Sequence, residues 1–273
     1  MKKNLPIHYL RYTFRKELAM NLVKKYIPGG SKFLEIGCAT GDFGITLSGL
    51  GYYGRMIDFS EEAAWAVKEN LRRHNIINLT FEKKDILNFE SKEHFDFIIM
   101  LEVLEHIEDD KNVLKKINSL LNSDGFLLLS VPAKKELWAA SDELVGHVRR
   151  YEKEEIKNIL NEAEFKIIKF YSYGYPFLNI VKKFIDYLFA KRLKKIKKNR
   201  IELSGKSGLI VIKIPILKYI FNKYILFPFI QFSRLFHRYD LSEGYLCLAK
   251  KYEKREQSNF KNPITPKENS CQI

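Results

Sequence analysis

Phe33-Leu34-Glu35-Ile36-Gly37-Cys38-Ala39-Thr40-Gly41-Asp42-Phe43-Gly44 is an apolar run that carries one acid and then breaks into a glycine loop. It reads as a buried strand followed by a tight turn, because glycine tolerates positive φ and lets backbone approach a ligand without a Cβ in the way. A dinucleotide loop of the G-x-G-x-x-G kind sets its middle glycine against a pyrophosphate at a helix N-terminus. Here Ala39 holds that middle position, and no lysine or arginine lies between Phe33 and Gly44. The loop therefore suits a nucleoside ligand without phosphates. Glu35 repels anions and offers an acceptor to an amine or a hydroxyl.

The segments that follow alternate between strand and helix patterns. Tyr52 to Asp58 reads as a second strand ending in an acid, and Glu61 and Glu62 open the next helix, where carboxylates favour the dipole. Asp58, at the end of that strand, is placed to cap the helix that follows. A short strand at 79–82 precedes Asp85-Ile86-Leu87, and Phe97 to Leu101 reads as a central parallel strand buried on both faces. It leads into Leu101-Glu102-Val103-Leu104-Glu105-His106-Ile107, with a helix from about Lys111 to Leu121 and a fifth strand from Gly125 to Val131. Trp138 and then Gly146-His147-Val148-Arg149-Arg150-Tyr151 follow. Residues 165–171 and 243–250 read as sixth and seventh strands.

The E-x-G-C-x-T-G loop at 35–41, the acid at Asp58 and the L-E-V-L-E-H-I segment together resemble the class I S-adenosylmethionine (SAM) dependent methyltransferases, in particular the small-molecule branch that includes quinone-biosynthesis enzymes. The G-H-x-R-R-Y string resembles a subset of the same branch. The resemblance covers roughly residues 30–174 and 242–251. It implies an α/β, Rossmann-like fold: seven strands, mostly parallel, with an antiparallel last strand. It further implies SAM as cofactor, held by Glu35, Gly37, Cys38, Ala39, Gly41, Asp58, Phe59, Asp85, Ile86, Leu101 and Glu102. Asp58 would bridge the ribose hydroxyls and Asp85 would reach the adenine amine.

For the acceptor, His106 and His147 are rival general bases, since a neutral imidazole takes a hydroxyl proton near pH 7. The resemblance sets Trp138, Arg149, Arg150 and Tyr151 towards the substrate, where paired guanidinium forks suit a carboxylate or phosphate. No metal is expected. The residues matching a metal set thought to serve some quinone-pathway members are Glu102, Glu105 and His106, which a hard cation would accept.

Charge is unevenly distributed. Of the net +14, residues 1–30 carry +6, residues 31–150 carry −5 and residues 151–273 carry +13. Three cysteines, Cys38, Cys247 and Cys271, form no C-x-x-C pair, which speaks against a disulfide framework or a structural zinc and fits a reducing cytoplasm. The expected organisation is an N-terminal helical cap over residues 1–30, a SAM-binding core over 31–174, a basic amphipathic insertion over 175–240, the final core strand over 241–251 and a disordered tail over 252–273. Within the insertion, residues 181–200 hold 9 Lys and Arg against Asp186 alone, and no stretch of about 18 residues is both apolar and uncharged. Two readings stay open for it: a lid on the core, or a segment lying in a membrane interface with lysines at anionic headgroups.

The expected function is methyl transfer from SAM to a small, hydrophobic or lipid-linked acceptor, at oxygen, in the cytoplasm and peripherally on the inner face of the membrane. No obligate protein partner is evident. The alternatives are an RNA methyltransferase that uses the basic C-terminal part, or a non-catalytic SAM-fold protein that binds membranes. Nucleic acid is disfavoured by the acidic half and by the lack of an N/D-P-P-Y/F string after the fourth strand.

Overall fold

The computed structural model describes residues 9–183 and 223–252. Residues 1–8, most of the expected insertion and the expected tail from 253 lie outside the described residues. The chain runs α1 (Tyr9–Tyr26), β1 (Lys32–Ile36), α2 (Asp42–Ser48), β2 (Tyr53–Asp58), α3 (Glu61–Arg73), β3 (Leu79–Lys83) and β4 (Phe95–Leu101). It continues through α4 (Asp110–Leu120), β5 (Leu121–Pro132), α5 (Ala140–Val145), α6 (Lys153–Glu162), β6 (Phe165–Tyr173), α7 (Lys223–Ser233) and β7 (Gly244–Lys251). One seven-stranded sheet forms in the order β3-β2-β1-β4-β5-β7-β6, and β7 runs antiparallel to both its neighbours. This is the mostly parallel architecture expected from the sequence.

The central strands read as continuous apolar runs because helices cover both faces. Leu34, Ile98, Met100, Leu127 and Leu129 point into one core, while Phe33, Phe97, Ile99 and Leu128 point into the other. Phe95 breaks this alternation by sharing a face with Ile98, and the β4–β5 pairing shifts register between Phe95 and Phe97. α4 and α6 close the first core. α1 closes the second with Leu10, Phe14, Leu18 and Val23.

The fifth strand begins at Leu121 rather than Gly125, since Leu121 pairs with Phe95 directly after α4 ends. β1 lies between β2 and β4, so the loops leaving the carboxyl ends of β1 and β4 are adjacent. Ligands of open α/β sheets bind at such a switch point.

Close strand approach sets one position absolutely. A Cβ on Gly54 of β2 would lie 2.0 Å from the Phe33 carbonyl oxygen, a backbone atom that cannot swing aside, whereas a Cβ on Gly29 would meet nothing within 4 Å. Gly54→Ala is expected to destabilise by about 3 kcal/mol or more, the upper end for overpacking, and to lower the melting temperature by roughly 6 °C or more. Gly29→Ala should melt with the parent, and equal melting of both variants would contradict this packing.

Candidate active site

The cofactor side is built from the two loops that follow β1 and β2. Gly37, Ala39 and Gly41 all take positive φ, at 68°, 49° and 71°. A Cβ at Gly37 would sit 2.3 Å from a Val103 methyl, so the loop after β1 lies against the loop after β4. Asp58, buried at the end of β2, accepts from the Ala39 N–H at 2.9 Å and from the Ser60 N–H at 3.0 Å. The cap of α3 is Ser60, whose hydroxyl accepts from Ala63, so Asp58 does not serve as the cap. Each Asp58 oxygen keeps a lone-pair direction for a further donor. Burial pushes the Asp58 carboxyl above its usual range.

Asp85 follows β3 and accepts from Leu87, while the Lys84 N–H donates to the Asp58 carbonyl at 2.9 Å. The two acids are thus joined along the carboxyl edge of neighbouring strands. Ile86 and Cys38 are buried and Phe59 is exposed. Glu35 is buried beneath the loop, where it accepts from Gly44 at 3.0 Å. Its carboxyl is pushed up to about 8, chiefly by burial.

On the acceptor side, His147 lies at 6% exposure with its Nδ1–H directed at Asp142 Oδ1, 2.8 Å away. Its Nε2 faces Glu105 Oε1 at 3.6 Å. The His106 ring meets it edge-on at 4.9 Å between centroids, and His106 donates from Nδ1 to the Gly146 carbonyl. Burial, reinforced by His147, pulls His106 down to about 3. Burial lowers His147 as well, opposed by its bond to Asp142. Burial works against ionisation of Asp142, yet His147 and Arg150 hold it below the usual carboxylate range. Glu105 is wholly buried, its two oxygens have no hydrogen-bond partner among the described residues, and burial raises its pKa well above the usual value.

The donors of the G-H-x-R-R-Y string all have partners within the fold. Arg149 donates to Asp110 and to the Glu108 carbonyl, Arg150 to Asp142 and to the Ala133 carbonyl, and the Tyr151 hydroxyl to Asp110 at 2.9 Å. Arg150 and Tyr151 are buried and Arg149 is partly exposed, and through these bonds all three side chains hold the loop. Trp138 remains half-exposed.

Glu102, expected beside the cofactor and among the metal candidates, is tied into the fold by its carboxylate. Its carboxylate meets Arg11 at 3.2 Å and Arg15 at 3.4 Å, and accepts from Ser130 at 3.0 Å. Burial alone would raise it, but the two guanidinium groups pull it down to about 2. The set that comes together is therefore Glu105, His106 and His147, with one ligand atom from each within 4.8 Å of the others. A carboxylate with two imidazoles suits a divalent cation, and Glu102 is not part of that set.

Several residues of the site carry no motif. Arg11 and Arg15 stand one helical turn apart on α1, and the neighbouring stripe of Tyr12 and Lys16 reaches Asp42 at the start of α2. Tyr173, Glu243 and Lys182 are buried around the same ion cluster. The one sequence signal was the i, i+4 spacing of the arginines.

The glycine loop, the acids on successive strands and the switch-point crevice define a nucleoside-binding class of α/β protein. The methyltransferase-domain family matches residues 7–169, and the chain belongs to it, among the class I SAM-dependent methyltransferases. The family's cofactor is SAM, and the phosphate-free loop with ordered acids at Asp58 and Asp85 fits it. The chain is 29% identical over 107 residues to a ubiquinone biosynthesis O-methyltransferase of Glaesserella parasuis serovar 5 (strain SH0165), covering 37% of this chain and 45% of the relative. It is 31% identical over 149 residues to a malonyl-[acyl-carrier protein] O-methyltransferase of Bacillus anthracis, covering 54% and 52%. It thus spans about half the length of the curated relatives it matches. The crystal structure of the [4+2]-cyclase SpnF matches in fold with a TM-score of 0.59 and 16% identity, covering 87% of this chain and 80% of that one.

The raised Glu35 carboxyl has a definite pH signature. The folded chain keeps a proton that the unfolded chain releases above about pH 4.5, so this residue's contribution to stability is full below that pH and is lost as pH rises towards about 8. Melting curves of the parent and of Glu35→Gln, which keeps an acceptor for Gly44, should converge or cross in favour of the glutamine between pH 5 and pH 8. A constant difference across that window would show that Glu35 is not held protonated by burial.

Proposed function

We propose that the chain transfers the methyl group of SAM to an oxygen of a small, hydrophobic or lipid-linked acceptor, with His147 as the general base. The observation that carries this reading is the Asp142–His147 hydrogen bond of 2.8 Å, set beside Glu105 and His106 just past the end of β4. A carboxylate that fixes the imidazole tautomer leaves Nε2 as the acceptor nitrogen, the arrangement a proton-removing histidine requires. Oxygen fits the two O-methyltransferase relatives reported above, although a relative named as an N-methyltransferase also matches.

Bound SAM supplies a methyl group already activated on a sulfonium, which leaves the protein to align the acceptor and take one proton. Gly37, Ala39 and Gly41 bring backbone close to the nucleoside, Asp58 takes the ribose hydroxyls and Asp85 the adenine amine. Glu35 and Cys38 hold the loop from below, and Phe59, Ile86 and Leu101 flank the base. His147 Nε2 removes the acceptor's proton and Asp142 stabilises the imidazolium that results. His106 is the rival base, its protonation opposed by burial and the neighbouring ring. Trp138 borders the acceptor. If a divalent cation is held, Glu105, His106 and His147 are the residues that fit it, and its chemistry would be to acidify a bound hydroxyl.

The decisive experiment follows radiolabelled methyl transfer from SAM to a panel of phenols, acyl carboxylates, amines and RNA. His147→Ala is expected to lower kcat on the best oxygen acceptor by about 10²–10⁴-fold while SAM binding by calorimetry stays unchanged. Asp142→Asn should follow it in part. Transfer to amines or RNA alone would move the acceptor class, and an undiminished His147→Ala would remove this residue from the chemistry.

A further inference from the structure

A second surface carries a group of exposed apolar side chains. Helix α7, the turn Arg234–Phe236 and the loop that enters β7 expose Phe227, Phe229, Phe232, Leu235 and Leu241, with Ile180 beside them, and Leu235 and Ile180 are 68% and 67% exposed. Soluble surfaces scatter such residues singly, and a group of them on one short run marks an interaction site. The run is tied into the fold by stacked rings: Phe229 on Phe177 at 4.8 Å, and Phe177 on Phe14 of α1 at 6.0 Å. Phe14 lies on the helix whose Arg11 and Arg15 hold Glu102. The apolar face is therefore continuous, through three rings, with the wall of the acceptor side.

Charge identifies the partner. Lys183, Arg234 and Arg238 are exposed around the face. The nearby acid, Asp240, accepts from the Tyr245 hydroxyl at 2.7 Å. In sequence, the stretch 184–222 between the two halves of the face holds ten Lys and Arg against Asp186 and Glu202. Aliphatic tips at Ile180, Leu235 and Leu241 add nothing to binding a polyanion backbone, which needs cations and stacking rings. Apolar tips ringed by cations are what a bilayer interface with anionic headgroups accepts, the apolar groups entering the acyl boundary and the basic ones staying at the phosphates. No helix among the described residues is long and apolar enough to cross a membrane.

We infer that the face formed by Ile180, Phe227, Phe229, Phe232, Leu235 and Leu241 docks the protein on an anionic lipid surface, beside the wall through which an apolar acceptor enters. The docking stands independently of which atom is methylated. The test is sedimentation of the full chain with phosphatidylcholine vesicles, with and without phosphatidylglycerol, at about 0.1 M and about 1 M salt, where the screening length falls from ~10 Å to ~3 Å. The expected result is sedimentation with the anionic vesicles at the lower salt, weakened at least tenfold by the higher salt. Leu235→Asp should reduce it at least tenfold, and Arg234→Glu with Arg238→Glu likewise, with melting temperature and SAM binding unchanged in both. Three results would overturn the proposal: no sedimentation at the lower salt, sedimentation of Leu235→Asp equal to the parent, or a dimer by analytical ultracentrifugation that Leu235→Asp dissociates, since the face would then belong to a second copy. SAM binding and methyl transfer in vesicle-free buffer report on the reaction separately.

Discussion

The missing side chain at Gly37 is the constraint on which the rest of the site depends. The loop after β1 and the loop after β4 meet there, with Val103 occupying the volume that any Cβ would need. Because β1 and β4 are hydrogen-bonded neighbours, the two loops have no freedom to part without disturbing the centre of the sheet. Val103 stands between Glu102 and Glu105 in sequence, so a side chain at position 37 would displace both the ion cluster and the buried carboxyl at once. The cofactor side and the acceptor side are therefore one rigid junction, and the positive φ of Glu102, at 59°, is held within it.

The acceptor side is dominated by buried charge, and its cohesion comes from pairing across distant parts of the chain. Arg11 and Arg15 of α1 converge on Glu102, and Arg11 also donates to the Glu243 carbonyl just ahead of β7. Removing one member of such a cluster strands the others in a low-dielectric interior, which costs far more than an exposed ion pair contributes. α1 is consequently a wall of the site. Its second stripe, Tyr12 and Lys16, grips Asp42 at the end of the glycine loop, so the same helix is fixed to both sides of the crevice.

The sheet and the cofactor loop were legible because their causes are local. A two-residue period shared between two covered faces writes itself as continuous apolar strands, and the turn after β1 needs glycines that the sequence displays. Asp58 could be placed at a strand end from the run before it, and Ser60 shows which residue does the capping. The register shift at Phe95 and the early start of β5 were not legible, since both follow from how two strands meet. The i, i+4 spacing of Arg11 and Arg15 sets them on one helix face but does not name their partners, which lie some ninety and more than two hundred residues away.

The same reasoning explains where the donors of the G-H-x-R-R-Y string are engaged. Two guanidinium groups and a phenol look like ligand donors when only their chemistry is known, but a donor is available to a ligand only after its internal partners have been met. Asp110 and Asp142, neither of them part of the string, take up Arg149, Arg150 and Tyr151 and thereby fix the loop. That immobilisation sets the position of His147, which shares Asp142 with Arg150 and faces the buried carboxyl of Glu105, whose oxygens have no hydrogen-bond partner among the described residues. In the proposed reaction Arg150 acts through the histidine whose carboxylate it shares, and a low-dielectric surrounding makes each of those fixed hydrogen bonds stronger than it would be at a surface.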